Sequence, residues 1–311
     1  MSRTSDRLGL LETFARIADA GSISAAARDL GLTQPTASRQ LAELEARLRT
    51  TLIRRTTHEL SLTEAGQSLL GDSRDLLSGW EALEERHRSD ADRLAGTLRV
   101  VSPVALGQTL LSGVAWRFQR EHPDIVLDWE LEDRAIRFAA TGCDCWIRVG
   151  RIPDDTLIVR ELARVERIVV CSPEYLARAG SPPSGPRDLE KLALLALEPF
   201  EGRSIPLTRG EGRVITVRPA VRLSTNSIVA LREATLEGLG LSVMPRWFVR
   251  EELRTRALVE ALPPWRAPEL PINVAYARSR YRTRRLHSFI ERLASTVPEL
   301  LSRDARVELD R

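Results

Sequence analysis

Apolar residues recur at helical spacing near the start of the chain. Residues 8–20 carry one apolar stripe, which predicts a first amphipathic helix. The stripe consists of Leu8, Leu11, Phe14 (or Ala15) and Ala18. A short second helix is predicted up to Leu30, and Gly31 can adopt the positive φ that ends a helix at little cost.

A third helix is predicted to begin only two residues after Gly31. Thr33 is a good N-cap, and Pro35 lies in the first turn, where its missing N–H would have no partner within the helix. The buried stripe of this helix is Ala37, Leu41, Leu44 and Leu48. Two helices joined by a short turn containing glycine are typical of a helix-turn-helix, whose second helix can enter a major groove.

The next segment predicts a small wing and then a long helix. Leu60 and Leu62 alternate with polar residues, so residues 52–63 indicate two short strands. From Glu64 to about residue 88 the pattern is helical, with apolar residues seven apart. The seam comprises Leu69, Leu76 and Leu83, with Trp80 four residues after Leu76. Such a seam on an isolated helix requires a partner helix, so we expect dimerisation through it.

After Gly96 strands alternate with helices. Strands are predicted at 98–103, 125–131, 145–150, 167–173, 220–226, 238–245 and 272–278, with helices around 109–121, 227–236 and 284–294. This alternation favours a doubly wound α/β domain with parallel strands.

Composition is that of a globular protein. The 311 residues are 43% hydrophobic and 29% charged, which allows two or three domains. No apolar run reaches the ~18 residues of a membrane span, and no export signal is visible, so we expect a cytoplasmic protein without a membrane partner. The odd set of Cys143, Cys145 and Cys171 lacks CxxC spacing and predicts reduced core thiols.

Charge alone does not identify a partner. The net charge is +3, and residues 1–64 hold nine arginines against eight acidic residues. Placement is more informative, because Gln34, Thr36, Ser38 and Arg39 can reach base edges from the first turns of the third helix. Wing arginines Arg54 and Arg55 can bind phosphates. The alternative is an ordinary solvated helix face.

Catalytic patterns are missing from the sequence. The four histidines, His58, His87, His122 and His287, show no HxxxH spacing, and no GxSxG or Walker sequence occurs. Gly238 and Gly240 lack the rest of a dinucleotide fingerprint. We therefore expect no enzyme, no cofactor and no metal. A cytoplasmic ligand-binding protein or enzyme whose N-terminal helices serve only oligomerisation remains the alternative.

One ordered set of residues is more specific than any single pattern. It comprises Phe14, Gly21-Ser22-Ile23-Ser24, Ala26-Ala27, Leu30, Thr33-Gln34-Pro35-Thr36-Ala37-Ser38-Arg39-Gln40-Leu41, Leu44-Glu45, Leu48, Leu52-Ile53-Arg54-Arg55 and Leu62-Thr63-Glu64-Ala65-Gly66. Together these resemble the winged helix-turn-helix of LysR-type transcriptional regulators. Later stretches match as well, at residues 96–100, 144–150, 172–176 and 238–245.

The resemblance implies an α/β protein with an all-α winged helix-turn-helix N-terminal domain, a long linker helix and an effector domain resembling periplasmic binding proteins. The expected domains are 1–63 for DNA binding, 64–94 for the linker and dimerisation helix, and 95–311 for the effector. Within the latter, subdomain I would be about 95–164 and 269–297, and subdomain II about 165–268. The implied partners are double-stranded DNA with an interrupted near-palindromic operator, a small-molecule effector, and copies of the chain in a homodimer or homotetramer.

The resemblance also places the contacts. DNA would be contacted by Thr33, Gln34, Pro35, Thr36, Ser38 and Arg39, with Arg54 and Arg55 at the wing. The effector would be contacted by Ser102, Pro103, Val104, Ala105, Arg148, Val149, Gly150, Thr225, Asn226 and Ser227. These stretches are strand ends running into loops, where donors converge on a crevice.

Several residues depart from the family pattern. Arg49 replaces a common glycine, Ile53 a common phenylalanine, and His58 a basic residue. Trp146 replaces a small residue, and it either points into the cleft and shrinks the pocket or packs as core. A cluster of arginines at 278, 280, 282, 284 and 285 indicates a solvated face or, alternatively, a contact with an anionic partner or subunit.

Overall fold

The N-terminal helices form where the sequence predicts them, but their buried faces differ in part from the predicted stripes. Leu10 and Ile17 are buried in the first helix, and Leu48 of the third is 46% exposed. In this computed structural model, residues 6–55, 60–87, 93–180, 182–200, 203–210, 212–278 and 282–306 are described. The first elements are α1 (Arg7–Ala20), α2 (Ile23–Asp29), α3 (Gln34–Leu48), β1 (Ile53–Arg55) and β2 (Leu60–Leu62). The side chains of Asp6, Ser22 and Thr33 cap the three helices in turn. The predicted helix-turn-helix and two-stranded wing are confirmed.

A shared core joins the three helices to the wing. Phe14, Leu41 and Leu52 are fully buried in it, one from each of α1, α3 and the start of the wing. The Glu45 carboxylate of α3 accepts hydrogen bonds from the backbone N–H groups of Leu52 and Ile53, at 2.8 and 3.2 Å. The wing is thereby fixed relative to the helix pair.

The long helix α4 (Glu64–His87) starts directly beneath the wing. Gly66 is required there, because a Cβ would lie 2.1 Å from the Leu52 carbonyl oxygen. Leu70 is buried in the N-terminal core, and Leu69 and Leu77 pack partly against it. The helix predicted for residues 64 to about 88 is confirmed.

The remaining chain alternates strands and helices. Its first half contains β3 (Gly96–Ser102), α5 (Val104–Thr109), α6 (Ser112–Glu121), β4 (Ile125–Leu131), α7 (Phe138–Thr141), β5 (Cys145–Val149) and β6 (Leu157–Cys171). Its second half contains α8 (Pro173–Arg178), β7 (Ala193–Leu197), β8 (Ile205–Leu207), β9 (Ile215–Val217), β10 (Ala220–Thr225), α9 (Ile228–Leu236), β11 (Leu241–Pro245), α10 (Arg250–Thr255), β12 (Val259–Glu260), β13 (Ala267–Ala277) and α11 (Arg284–Arg306). Short 3-10 helices occur at Pro186–Lys191 and Arg246–Val249.

One sheet of nine strands runs through this part of the chain. Eight of its strands follow the order β10-β7-β11-β6-β13-β5-β3-β4, and β12 pairs with β6. Strand β3 is parallel to β4 and β5, and β7 is parallel to β10 and β11. The prediction of parallel strands is wrong at the centre, where β6 and β13 are antiparallel. The chain leaves one half of the sheet along β6 and returns along β13, so these strands must run in opposite directions.

Two separate cores lie on either side of these long strands. The first contains Leu98, Phe118, Ile147 and Phe289. The second half is built around clusters that include Leu194, Val243 and Met244. Because β6 and β13 contribute residues to both halves, each half is anchored to the other through continuous backbone.

The linker helix contacts the α/β part as well as the N-terminal domain. Arg285 of α11 forms an ion pair with Glu81 of α4, and its Nε donates to the Thr97 carbonyl at 2.8 Å. Arg285 is therefore buried rather than solvated, which corrects the prediction of a solvated arginine face at this position. Arg282 is exposed and its guanidinium lies 4.9 Å from the Tyr276 ring centroid, whereas Arg280 lies outside the described residues.

Several elements differ from the sequence prediction. Strand β6 begins at Leu157 rather than at 167, because its first half alternates buried and exposed residues and lacks a continuous apolar run. Strands β7, β8, β9 and β12 were not predicted, and α11 continues to Arg306 through Pro298 instead of ending near 294. Among the described helices, none combines the length and apolar character needed to cross a membrane.

Candidate functional sites

The N-terminal end of α3 presents polar side chains on one exposed face. Thr33 Oγ1 accepts the N–H of Thr36 at 3.4 Å and lies 2.8 Å from Thr36 Oγ1. Gln34, Pro35 and Arg39 are exposed, and Ser38 is half-buried. The six residues of this segment that were predicted to contact DNA thus lie at the N-cap or in the first two turns of the helix. The helix starts as the sequence predicts because Thr33 is extended and caps it.

The opposite face of α3 is fixed to the rest of the domain. Ala37 and Leu41 are fully buried, and Thr13 of α1 donates to the Gln40 side-chain carbonyl at 2.6 Å. The polar end of α3 therefore projects from a packed domain and not from a mobile helix. Backbone N–H groups at such an end attract anions as well.

The wing follows the C-terminal end of α3 in the chain. Arg54 is exposed on β1, whereas Ile53 is buried in the N-terminal core. Arg55 is part of the same strand, but its side chain lies outside the described residues, as does His58. Ile53 at the position of the common phenylalanine fills the core beneath the wing.

A second candidate site is a cavity of about 420 Å³ between the two halves of the sheet. That volume is within the range of small-molecule sites. Its walls come from both halves, with Val149 and Leu270 on one side and Leu197, Phe200 and Val243 on the other. Most of the exposed surface inside is apolar.

The structure brings half of the predicted effector residues into this cavity. The lining includes Pro103, Ala105, Arg148, Val149 and Asn226. The other five, which do not line it, are Ser102, Val104, Gly150, Thr225 and Ser227. Three of these five make structural hydrogen bonds: the Val104 N–H donates to Asp133, the Gly150 carbonyl accepts from Asn273 Nδ2, and Ser227 caps α9.

Arg148 lines the cavity together with two other arginines, Arg134 and Arg167. Arg148 lies on β5, and within the described part of the chain its Nε and Nη1 atoms are buried without a hydrogen-bond partner. Its guanidinium carbon lies 5.2 Å from the centroid of the Trp146 ring, two residues earlier on the same strand. Burial lowers the pKa of Arg148 from its ordinary value, yet an arginine remains charged near neutral pH.

Trp146 is both a core residue and part of the cavity wall, the two alternatives that the sequence left open. It is 2% exposed and packs with Val101, Phe138 and Ile152, so it is a core residue. It also lines the cavity, where it supports Arg148 from one side. The ring therefore shapes the pocket from within the core and does not fill it.

Sequence reasoning missed several lining residues. Arg167, Phe200 and Trp247 all line the cavity, and the Trp247 indole Nε1 is buried without a partner among the described residues. Arg167 lies 6.0 Å from the Phe200 ring and donates to the Pro268 carbonyl at 3.3 Å. The only signal for Trp247 was its position just after the stretch 238–245, because a single tryptophan carries no periodicity.

The acidic side chains that line the cavity form hydrogen bonds with groups other than Arg148. Asp133 accepts the Val104 N–H at 2.9 Å, Glu132 accepts the Arg134 N–H at 2.8 Å, and Glu198 accepts from Ser224 at 3.3 Å. Burial raises the pKa of Asp133. No ion pair joins any of these carboxylates to Arg148 in the described structure.

No metal centre is formed by the described residues. Groups of three or more histidine, cysteine, aspartate or glutamate side chains that could hold an ion do not occur among them. The cavity between the halves and the polar end of α3 are the two candidate sites described above.

Comparison with known proteins covers both candidate sites. Residues 8–67 match the family model described as bacterial regulatory helix-turn-helix protein, lysR family, and residues 91–298 match the LysR substrate binding domain. The chain is 34% identical over 299 residues to the HTH-type transcriptional regulator YhjC of Escherichia coli (strain K12), covering 95% of this chain and 99% of the relative. It is 31% identical to the HTH-type transcriptional regulator PtxR of Pseudomonas aeruginosa, covering 92% and 91%.

Solved structures show the same architecture. The full-length structure of the Vibrio cholerae virulence activator AphB, a member of the LTTR protein family, superposes with a TM-score of 0.59 at 26% identity. That match covers 93% of this chain and 99% of AphB. The chain therefore belongs to the LysR family of transcriptional regulators, with a helix-turn-helix DNA-binding domain followed by an effector-binding domain of two α/β halves.

Proposed function

We propose that α3 reads operator DNA from the major groove. The contacts would be made by Thr33, Gln34, Pro35, Thr36, Ser38 and Arg39, with Arg54 and Arg55 on phosphates beside the groove. The observation that supports this most strongly is the exposed polar end of α3 opposite a fully buried face. Gln and Arg side chains can form bidentate hydrogen bonds with adenine and guanine edges.

The protein would act as a homodimer or homotetramer held through α4. Leu76 and Trp80 support this, because they are large apolar residues on one face of that helix and remain 59% and 46% exposed in the single chain. Two copies of α3 related by a dimer axis would read two half-sites about one helical turn or a multiple apart. The operator is then an interrupted near-palindrome, and the protein acts in the cytoplasm where that DNA lies.

An effector in the cavity would control DNA binding without undergoing a reaction. The proposed division is subdomain I at about 95–164 and 269–297 and subdomain II at about 165–268, with 1–63 and 64–94 as the DNA-binding and linker segments. A ligand that contacts both subdomains favours one relative arrangement of them. Because α4 contacts the effector domain through Glu81 and Arg285, such a change would reach the linker helix.

A binding assay with two matched arginine variants tests the DNA assignment. Operator fragments are first selected from genomic DNA with the parent protein, and affinity is then measured at one fixed salt concentration. Arg39→Ala should weaken binding by ~1–3 kcal/mol, the value of a good base contact. Arg47→Ala removes an equal charge from the same helix, at a residue paired with Glu43, and should change affinity little.

The contrary result is also specific. If Arg39→Ala binds the operator as tightly as the parent, α3 does not read bases through this residue. If the parent protein selects no DNA fragment, the N-terminal helices serve oligomerisation alone.

A further inference from the structure

The cavity between the subdomains has mostly apolar walls, and two of its lining side chains carry unsatisfied donor atoms. Arg148 contributes Nε and Nη1, and Trp247 contributes Nε1, all three buried and without a partner in the described structure. They come from different halves of the sheet, since Arg148 lies on β5 and Trp247 follows β11. Buried donors of this kind are normally hydrogen-bonded, so their exceptions need an explanation.

The side chains around Arg148 hold it without neutralising it. Trp146 lies against one face of the guanidinium at 5.2 Å, an attractive arrangement that leaves the N–H groups unused. The nearby rim carboxylates of Glu132 and Asp133 accept backbone N–H groups instead. The buried Nε and Nη1 atoms of Arg148 therefore have no hydrogen-bond partner in the described structure, and the planar fork of a guanidinium matches a carboxylate.

The walls define the rest of the ligand. Leu197, Phe200 and Val243 from one half face Val149 and Leu270 from the other, so most of the ligand surface would meet apolar groups. A highly hydrated anion such as a free sugar acid would exchange much of its hydration for contacts with apolar walls, which is costly. A compact apolar molecule with one anionic group loses the least hydration free energy when it enters the cavity.

We propose that the effector is a small monocarboxylate with an apolar ring or branched body, bound with its carboxylate on Arg148 and Trp247 Nε1. This inference rests on the proposed effector role of the cavity. A carboxylate held by both residues bridges the two subdomains, since it accepts from Arg148 of one and Trp247 of the other. The donors of Arg148 and Trp247 thus gain a hydrogen-bond partner only when the carboxylate bridges the two subdomains.

The test uses the full chain and a fragment panel. Thermal unfolding and calorimetric titration are measured with benzoate, cyclohexanecarboxylate, benzamide, benzylamine and acetate. We expect the first two to raise the unfolding temperature and to bind about tenfold or more tightly than benzamide, because benzamide has no charge for Arg148. Acetate should bind weakly because it lacks the apolar body.

Variants connect the preference to the two residues. Arg148→Gln should bind benzoate no better than benzamide, and Arg148→Lys should retain part of the preference by keeping the charge. Trp247→Phe should weaken both carboxylates several-fold and keep the preference over benzamide. Arg151→Gln, an exposed arginine three residues beyond Arg148, should leave all affinities unchanged.

Three results would overturn the inference: benzamide or benzylamine binding as tightly as benzoate, Arg148→Gln keeping the preference for benzoate, or no carboxylate in the panel binding. Operator affinity of Arg148→Gln is also measured without added acid, so that failure of the ligand proposal can be told apart from failure of the DNA-binding proposal. Normal operator affinity with failed carboxylate binding rejects only the ligand class. If Arg148→Gln unfolds, the comparison of Arg148→Lys with Arg151→Gln still measures the dependence on the guanidinium.

Discussion

Asp144 and Arg99 are joined by a reciprocal pair of hydrogen bonds. The Asp144 N–H donates to the Arg99 carbonyl at 2.8 Å, and the Asp144 carboxylate accepts the Arg99 N–H, also at 2.8 Å. The pair lies at the start of β5, where the effector domain meets α4. Burial raises the pKa of Asp144, and this outweighs the opposing effects of the Arg99 hydrogen bond and of the Arg285 and Arg99 charges.

The raised pKa predicts how Asp144 affects stability with pH. The folded state binds this proton more tightly than the unfolded state, so the contribution is fully present below the unfolded pKa and is lost as pH rises through the folded pKa. Asp144→Asn keeps an acceptor but cannot ionise. We therefore expect the unfolding temperature of Asp144→Asn, relative to the parent, to increase as pH rises from about 4 to about 7.

Asp188→Asn is the control of opposite sign. Hydrogen bonds from Ser184 and Lys191 lower the pKa of Asp188 to about 2. Its contribution is present above the unfolded pKa and lost as pH falls, so the relative stability of Asp188→Asn should decrease as pH rises. Parallel pH profiles for the two variants would contradict the assignment of Asp144 as a carboxyl with a raised pKa.

Arg49 ends α3 in a conformation that usually belongs to glycine. Its φ is 53°, in the left-handed region, while its N–H still bonds to the Ala46 carbonyl at 3.3 Å. Arg49→Gly should therefore raise the free energy of unfolding by about 1 kcal/mol. Chemical denaturation measures this directly.

Arg47→Gly serves as the matched control for that variant. It introduces glycine two residues earlier, inside the last turn of the same helix, and should lower the free energy of unfolding by about 1 kcal/mol. If both glycine variants are destabilised equally, the left-handed conformation at Arg49 costs the protein nothing.

Arg49 also illustrates how far the sequence predicts this fold. Local signals located α1 to α4 correctly, since a cap, a stripe and a glycine act over a few residues. Arg49 itself carries no such signal, because nothing in its chemistry requires a left-handed turn. Strand direction in the sheet was missed for a related reason: pairing of β6 with β13 joins residues about a hundred positions apart.

The site was predictable to the same extent. Arg148 and Asn226 line the cavity at strand ends, where crevices of α/β sheets form, and the resemblance to the family had implied both as effector contacts. Trp247 and Phe200 reach the cavity only because the two halves face each other across β6 and β13. Such residues become visible when the tertiary arrangement is known.

The three cysteines should be inert in the folded protein. Cys143, Cys145 and Cys171 are all free and buried, which confirms the predicted core thiols. Burial raises the pKa of Cys143 and of Cys171 to about 12, and it raises that of Cys145 above its ordinary value. The thiolate is the reactive form, so a disulfide reagent at about pH 8 should find almost none.

The reactivity of the cysteines is measured by the absorbance of the chromophore that a disulfide reagent releases when it reacts with a thiolate. The native protein should release almost none on the timescale of seconds in which an exposed thiol reacts, and the denatured chain should release three equivalents. Rapid reaction of the native protein at any of the three positions would show that the local structure opens, since the static burial leaves no access.

The apolar face of α4 predicts the assembly of the protein. Of the four residues in the predicted seam, Leu69 packs partly against the N-terminal core and Leu83 is half-buried, whereas Leu76 and Trp80 are exposed one turn apart. A carboxylate at either exposed position would be desolvated in a helix pair. We expect sedimentation of the parent at micromolar concentration to show a dimer or larger species, and Leu76→Glu and Trp80→Glu to shift it toward monomer.

Val214→Glu, at a residue 55% exposed elsewhere on the chain, should leave the assembly unchanged. Leu69→Glu should instead destabilise the N-terminal domain, which melting would detect. A parent that sediments as a monomer, or equal effects of the Val214 and Trp80 variants, would exclude this face of α4 as the interface.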